Sequence, residues 1–460
     1  GDGGGGGAFH AGDAQLQALA HPHGGGDGGV PVRLGDPDVI VAVVDGGIDT
    51  EHEDLAANYA GGFNFVRGTK KIVAHDHGTH VAGTVAAVNN NGKGVSGLAG
   101  GDAAARQAGV KLLSCQIFEH NPDDPHKDFS ADGADAIKWG ADNGAVISQN
   151  SWGYVYETAE EQAAAKIPSH LKAAIDYFIK YAGFDENGVQ TGPMAGGVVV
   201  FAAGNDSREH DPVGKYDPVI AVGSIGPDFK RADYSNYGDW VDIAAPGGSV
   251  HYPQGEVLST LPGNRYGYMQ GTSMACPHVS GVVALGLSYA AKLRRHFKPE
   301  EIKQLLYETA RPVEQFWSKT DGAYGQKYYY KYVADLSKVY YASLDLAEYA
   351  NKMGHGQVDA YAFLKKIEGA GVEMTFPNVF VAEGGRTTVA PAMYFENGAS
   401  QTYQVTITDE TVAAYEVDGN KLVFIGLNSG QTAAKITASG GESFDFVITV
   451  RKGSTGAGWL

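Results

Sequence analysis

Short apolar runs recur along most of the chain, and many of them end at polar residues or glycine. The run at 39–44 leads into Asp45-Gly46-Gly47, which is the pattern of a buried parallel strand that ends at a loop. Further strands are predicted at 110–118, 146–148, 198–203 and 219–222. Because parallel sheets bind ligands at the carboxyl ends of their strands, polar residues at those ends are the first functional candidates.

Helical patterns occupy the segments between these strands. They lie at 79–88 and 170–182, in the long apolar stretch 274–290, and at 299–310, which begins with proline. Strands that alternate with helices predict an α/β domain with a mainly parallel sheet flanked by helices. The segment 313–353 is rich in Tyr and Lys, carries no motif and is interpreted as a surface insertion.

The pattern changes near residue 367 to short alternating runs, such as those at 403–408 and 444–450. Asp418-Gly419 lies between two such runs and predicts a hairpin turn. We therefore expect a small all-β sandwich domain at 367–460. This region contains no cluster of nucleophile and base, so packing, anchoring or binding is its expected role.

The first 29 residues are dominated by glycine, with interspersed His and Asp. This composition predicts a flexible linker, and a solvated tail is favoured over a metal-binding histidine tract. No charged segment followed by an apolar one is present, so no signal peptide is predicted in this chain. We assign 1–34 to the Gly-rich segment, 35–366 to the α/β domain and 367–460 to the sandwich.

The charge balance narrows the range of partners. The 460 residues include 53 acidic and 35 basic ones, which gives a formal charge of -18. No Lys/Arg-rich segment stands out, so a nucleic acid is not an expected partner. No uninterrupted apolar stretch in the sequence reaches the length of a membrane span, and no transmembrane segment is predicted.

Three polar residues together provide the parts of an activated serine nucleophile. Asp45 follows a buried strand, His77 lies at the start of a helix, and Ser273 follows Gly271-Thr272. A serine hydroxyl reacts once a base takes its proton, and the imidazole that does so needs a carboxylate to fix its tautomer. The chain order Asp, His, Ser is one known solution to this geometry.

The residues around these positions make the set specific. Three runs resemble the three signatures of the subtilases, the subtilisin-like serine proteases of peptidase family S8. They are Val-Val-Asp45-Gly-Gly-Ile-Asp, His77-Gly-Thr-His-Val-Ala-Gly and Gly-Thr-Ser273-Met-Ala-Cys-Pro-His. The resemblance covers roughly 36–365. It implies a serine endopeptidase that hydrolyses proteins through an acyl-enzyme, with Asp45, His77 and Ser273 as triad and Asn205 as side-chain donor to the oxyanion.

The resemblance also implies a substrate cleft. Its walls would be Ser151, Trp152 and Gly153 on one side and Ala202, Ala203 and Gly204 on the other. A polypeptide substrate would lie between them as an added strand. Trp152 occupies a place where the family often has Leu, and the segment 206–215, expected to close the specificity pocket, is shortened. The preferred substrate residue is therefore left open.

A structural calcium ion is a further implication of the resemblance. Asp54 stands nine positions after Asp45, as does a calcium-binding aspartate in many subtilases, and 88–95 resembles the family's calcium loop. The expected ligands are Asp54, Asn90 and backbone carbonyls near Val88, Lys93 and Val95. The loop is one residue longer than usual, and the Lys93 ammonium could replace the metal, so a metal-free loop is the alternative. The chemistry itself requires no cofactor.

Other interpretations of the same residues are disfavoured. His75, His77 and His80 lack the HExxH spacing of zinc proteases, and the GxSxG motif is absent around Ser273. His80 and His278 are expected to pack and to form hydrogen bonds.

Cys115 and Cys276 are the two cysteines of the chain and match no metal-binding spacing. Two buried thiols are favoured, and a single disulfide between them is left open. Cys276 is expected to be a core neighbour of Ser273 and not a second nucleophile.

The alternative function is an inert protease scaffold that binds or adheres through its sandwich, and the complete set of four predicted catalytic residues argues against it. The family resemblance further suggests an extracytoplasmic protein, of bacterial surface or lipoprotein type. A propeptide is expected either to have been cleaved or to be lacking in this lineage.

Overall fold

The computed structural model describes residues 35–124, 126–317, 326–332 and 339–453. The predicted Gly-rich segment 1–34 lies outside the described residues. An α/β domain with a parallel sheet flanked by helices precedes a β-rich region, which confirms the predicted fold class.

The strands of the α/β domain are β1 (Ile40–Gly46), β2 (Tyr59–Asn64), β3 (Gly101–Asp102), β4 (Gln107–Ala108), β5 (Lys111–Glu119), β6 (Phe129–Ser130), β7 (Ile147–Asn150), β8 (Val198–Ala202), β9 (Ile220–Ile225), β10 (Ile243–Pro246), β11 (Val257–Leu261), β12 (Arg265–Met269), β13 (Arg295–His296), β14 (Gln326–Tyr332), β15 (Val339–Asp345) and β16 (Val372–Glu373). Its α-helices are α1 (Asp76–Ala86), α2 (Gly133–Asp142), α3 (Ala159–Ala164), α4 (Ser169–Tyr181), α5 (Thr272–Lys292), α6 (Pro299–Glu308) and α7 (Ala360–Glu368).

The main sheet has the strand order β10-β9-β8-β7-β1-β5-β2, and β6 adds an antiparallel edge to β5. Alternate residues of the central strand β1 enter two different cores. Val41 and Val43 pack with helices α1, α5 and α7 on one face, whereas Ala42 and Val44 pack with α2 and α4 on the other. Burial on both faces explains why this strand is an unbroken apolar run.

Helix α5 is the central helix of the first core. It is long and apolar enough to cross a membrane, but 94% of its most apolar window is buried inside the fold. The helix begins at Thr272. Pro277 therefore lies in the second turn, where a proline removes one helical hydrogen bond.

The Tyr/Lys-rich segment differs partly from the predicted surface insertion. Strands β14 and β15 form an antiparallel pair within it, next to the 3-10 helices Val313–Phe316 and Leu346–Tyr349. Its ends are buried, because Val313, Trp317 and Leu346 pack together in an apolar cluster. Residues 318–325 and 333–338 of this segment lie outside the described residues.

The carboxyl-terminal region is a sandwich of two sheets. Its strands are β17 (Val379–Ala382), β18 (Arg386–Val389), β19 (Tyr403–Ile407), β20 (Ala413–Asp418), β21 (Lys421–Gly426), β22 (Gly430–Ala438) and β23 (Ser443–Arg451), with 3-10 helices at Pro391–Tyr394 and Gly398–Ser400. The sheet β17-β23-β22-β19 faces the sheet β18-β21-β20 across a shared apolar core. The predicted hairpin is confirmed, since Asp418 pairs with Lys421 and Gly419 has a φ of +61°.

The junction between the two parts is continuous. Helix α7 extends to Glu368, two residues beyond the predicted boundary at 366, and the next short strand, β16, pairs with β13 of the α/β domain. Arg294 and Glu442 form an ion pair of 2.6 Å across the junction. The exact domain boundary stays a prediction.

Candidate active site

The first pair of site residues is held by a close approach of strand β1 and helix α1. Asp45 is the penultimate residue of β1, and His77 is the second residue of α1. A Cβ atom added at Gly78 would lie 1.9 Å from the carbonyl oxygen of Gly46. Glycine at position 78 therefore lets the helix start close to the strand end, and this brings the two side chains together.

Asp45 is fully buried, and its Oδ1 accepts hydrogen bonds from Nδ1 of His77 at 2.7 Å and from the backbone N–H of Gly46 at 2.6 Å. Since Nδ1 carries the proton of this bond, Nε2 of the neutral ring is the basic nitrogen. The His77 side chain is 32% exposed. Partial burial lowers the pKa of His77, but the charge of Asp45 and its hydrogen bond more than offset this, so the pKa is raised.

Ser273 lies in the first turn of α5, two residues after the Gly271 N-cap, whose φ is +150°. Its Oγ donates a hydrogen bond to the carbonyl of Ser151 at 3.2 Å. Within the described part of the chain, no hydrogen bond joins Ser273 to His77. Hydrogen bonds between catalytic groups are often absent from a free active site and form only when substrate binds. Here the Ser273 hydroxyl has to give up its bond to Ser151 before it can donate to His77.

Ser151 also compensates for the proline in α5. A helical N–H at position 277 would donate to the carbonyl of residue 273, and Pro277 has none. The Oγ of Ser151 donates to this carbonyl instead, at 2.8 Å. The predicted cleft residue Ser151 thus contacts the predicted nucleophile through its side chain and its backbone.

The carboxamide of Asn205 is oriented by Thr272. Its Oδ1 accepts hydrogen bonds from the backbone N–H and the Oγ1 of Thr272, both at 2.8 Å. This leaves Nδ2 as a donor. A Cβ added at Gly271 would lie 3.5 Å from Nδ2 of Asn205 and 3.6 Å from the backbone N of Ser273. The two nitrogen donors therefore flank the same space, next to the start of a helix, where negative charge is stabilised.

The sequence profile of the subtilase family, Peptidase S8, matches residues 36–356. The chain belongs to the subtilase family. A thermophilic serine proteinase from Bacillus sp. (strain AK1) is 35% identical over 273 residues, which are 59% of this chain and 56% of that protein. Fervidolysin from Fervidobacterium pennivorans is 34% identical over 314 residues, 59% of this chain and 37% of that protein. The chain thus spans only about half or less of the length of these two relatives.

Solved structures share the fold. Proteases from Pseudoalteromonas arctica are similar with a TM-score of 0.50 and 28% identity, over 73% of this chain and 91% of that chain. The prenylagaramide maturation protease PagA is similar with a TM-score of 0.51 and 23% identity, over 73% of this chain and 95% of that chain.

One predicted wall of the cleft in this subtilase is shaped by Trp152. Its Nε1 donates to Oδ1 of Asn150 at 3.1 Å, and its ring meets Phe201 edge-on with centroids 5.2 Å apart. A Cβ at Gly133 would lie 2.3 Å from the indole ring. The indole therefore packs inward against helix α2, while Gly153 beside it has no neighbour within 4 Å of a would-be Cβ.

The opposite predicted wall, 202–204, is held in position by hydrogen bonds to Asn236. This fully buried residue was missed by the sequence interpretation. Its side chain donates to the carbonyl of Ala203 and accepts from the N–H groups of Asp206 and Arg208. Gly204 has a φ of +100°, and a Cβ there would lie 2.4 Å from Nδ2 of Asn236. Thr272 was also missed as a positioning residue, although it lies within the Ser273 motif.

The other histidines of the family motifs and both cysteines of the chain are buried. Burial lowers the pKa values of His80 and His278 to about 4, so both rings are neutral and form hydrogen bonds with backbone carbonyls. Cys115 and Cys276 are both free thiols, which answers the open disulfide question. Burial raises the pKa of Cys276 to about 12, and its thiol lies next to Gln149.

The predicted calcium loop has an arrangement that differs from the expected ligand shell. Asp54 is fully buried, and its two oxygens accept hydrogen bonds from Nδ2 of Asn91 at 2.5 Å and from the N–H of Val95 at 3.0 Å. Asn90 is exposed, and Lys93 pairs with Glu53 at 3.1 Å.

Nitrogen donors facing the carboxylate do not present the oxygen-rich shell that calcium prefers. Position 91, and not position 90, supplies the amide next to Asp54. Calcium binding stays a prediction, and no step proposed below uses it.

Proposed function

We propose that this chain is a serine endopeptidase, with Ser273 as the nucleophile that attacks the carbonyl carbon of a peptide bond. The observation that carries this proposal is the 2.7 Å contact between Asp45 and His77, at the sheet edge where Ser273 and Asn205 also lie. Family membership supports the reaction class. A protease scaffold without activity would have no chemical need for all four of Asp45, His77, Asn205 and Ser273.

The geometry supports a definite path for the proton. Once Ser273 turns from the Ser151 carbonyl, Nε2 of His77 can accept the hydroxyl proton as the Oγ–carbon bond forms. Asp45 stabilises the resulting imidazolium. The proton then passes to the leaving amine, and an acyl-enzyme remains on Ser273. Water, activated by His77 in the same way, releases the carboxylic acid product.

The negative charge of the tetrahedral intermediate has two donors available. Nδ2 of Asn205 and the backbone N–H of Ser273 converge near Gly271. Thr272 is not one of these two donors. It fixes the Oδ1 of Asn205 through two hydrogen bonds and therefore acts as a positioning residue. Preorganised donors of this kind usually supply a large part of the rate enhancement.

The substrate is a polypeptide that lies between the segments 151–153 and 202–204. An extracytoplasmic location, the bacterial surface or lipoprotein type and a cleaved propeptide stay predictions. The relatives include the major intracellular serine protease of Bacillus subtilis, 33% identical over 293 residues, so family membership alone leaves the compartment open.

Substitution of Ser273 tests the reaction. We expect the natural chain to cleave casein and to be labelled by a fluorophosphonate. Ser273→Ala should lose both properties while its circular dichroism and melting temperature stay unchanged. Ser169→Ala, at an exposed helix start, is the matched control and should keep both. Labelling that persists in Ser273→Ala would contradict the assignment.

A further inference from the structure

A cluster of metal-binding side chains lies next to the helix that carries His77. His75, His120 and Asp128 offer ligand atoms that all lie within 4.8 Å of one another. Nε2 of His75 is 2.9 Å from Oδ2 of Asp128, and Nδ1 of His120 is 3.3 Å from Oδ1 of the same carboxylate. Residues distant in sequence are thus brought together by the ends of β5 and the loop that follows it.

The cluster has the composition of a transition-metal site. Two imidazoles and one carboxylate are a common protein ligand set for Zn²⁺ with a fourth position left for water. The two rings stack with centroids 3.9 Å apart and planes inclined by 19°, so both lone pairs cannot point at one ion without a rotation. His120 is 58% exposed, which leaves space for its ring to rotate.

The buried member of the cluster is linked directly to the candidate base. Nδ1 of His75 accepts the backbone N–H of His77 at 3.1 Å and caps helix α1. The proton of the neutral His75 ring is therefore on Nε2, where it points to Asp128. A metal ion bound at Nε2 takes the lone pair of that nitrogen, so the single proton of the neutral ring has to move to Nδ1. A proton on Nδ1 would face the N–H of His77 and break the cap.

We propose that His75, His120 and Asp128 bind a divalent transition-metal ion such as Zn²⁺, and that its binding inhibits the peptidase by disturbing the helix start that positions His77. The proposal of metal binding rests on the geometry of the cluster alone. The inhibition rests on the proposed peptidase function. This ligand set differs from the disfavoured set His75, His77 and His80, because it leaves the candidate base outside the metal's ligands.

Binding is tested first without activity, on the full chain with Ser273→Ala to prevent self-cleavage. We expect one Co²⁺ ion to give the visible absorption of a low-symmetry site, and Zn²⁺ to displace it. Adding His120→Ala should weaken the affinity at least about tenfold. His126→Ala removes an exposed histidine of the same loop and should leave the affinity unchanged. Equal affinity in the His120→Ala and His126→Ala chains would overturn the proposal.

Inhibition is then tested on the chain with Ser273 intact. We expect ZnCl₂ to inhibit peptide hydrolysis reversibly, EDTA to restore it, and His120→Ala to require at least about tenfold more zinc, with unchanged activity in the absence of metal. Unaltered zinc inhibition in His120→Ala would place the inhibitory ion elsewhere and overturn the proposal. A chain that binds Co²⁺ as expected but hydrolyses nothing would instead contradict the peptidase function.

Discussion

Ser151 and Ser273 exchange hydrogen bonds, from Oγ of Ser151 to the carbonyl of Ser273 at 2.8 Å and from Oγ of Ser273 to the carbonyl of Ser151 at 3.2 Å. The first bond supplies a donor to the Ser273 carbonyl, which lacks its helical N–H partner because residue 277 is a proline. In the second, the candidate nucleophile donates its hydroxyl proton to Ser151 and not to His77. A cleft wall and the nucleophile are thus coupled in the free protein.

This exchange predicts the effect of removing the Ser151 hydroxyl. Ser151→Ala leaves the carbonyl of Ser273 without its donor, and we expect the free energy of unfolding to fall by about 1–2 kcal/mol. Urea denaturation measures it. In a Pro277→Ala background the helix regains an N–H for this carbonyl, so the same substitution should cost less. Equal costs in the two backgrounds would show that the proline is not the reason for the bond.

The raised pKa of His77 predicts the acidic limb of the pH–rate profile. The base works when neutral, so kcat/KM should fall as the pH decreases through a pKa above the ordinary value of 6.5. Asp45→Asn removes the charge that raises the pKa and should lower kcat by about 10⁴-fold.

Asp128 also raises the pKa of His77 through its charge, so Asp128→Asn should move the acidic limb to lower pH. An acidic limb at or below pH 6.5 in the natural chain would contradict this account of the pair.

The donor role of Asn205 predicts a selective loss of turnover. Asn205→Ala should lower kcat by about 10²–10³-fold with little change in KM, because the missing bond forms chiefly in the transition state. Thr272→Val removes the hydroxyl that donates to Asn205 and should lower kcat by a smaller factor. Thr272→Ser keeps this hydroxyl, so its kcat should stay near that of the natural chain. Steady-state kinetics on a chromogenic peptide measures all three. A rise in KM without a fall in kcat would argue for substrate binding instead.

The close approach at Gly78 predicts a combined loss of stability and activity. Gly78→Ala places a methyl group against the Gly46 carbonyl and should destabilise the fold by about 1–3 kcal/mol. The same shift moves His77 from Asp45 and should lower kcat by up to about a hundredfold. Thermal unfolding and kinetics measure the two effects. Gly369→Ala, where a Cβ meets nothing within 4 Å, is the control and should change neither.

Much of the fold could be predicted from local patterns. The run at 39–44 became the buried strand β1, and the apolar stretch at 274–290 became the central helix α5. Element ends were less predictable, because side-chain caps set them. Helix α1 begins three residues before the predicted start since His75 caps it, a contact that hydrophobic periodicity does not contain.

The sequence by itself determined the reaction class, because Asp45, His77, Asn205 and Ser273 lie in motifs whose residues and order are specific. It could not determine which side chains hold those four in place. Thr272 and Asn236 act through contacts between segments that are distant in sequence, whereas His75 caps its own helix through a local bond. Whether such hydrogen bonds form depends on differences in distance of a few tenths of an ångström.

Tertiary structure alone also decided the state of the metal candidates and the nucleophile. It placed Asn91 next to Asp54, brought His120 and Asp128 to His75, and turned Ser273 toward Ser151. Residue types along a chain limit the chemistry that is available. Only packing fixes which lone pair faces which proton, and that relationship determines whether a group binds a metal ion, accepts a proton or supports a neighbour.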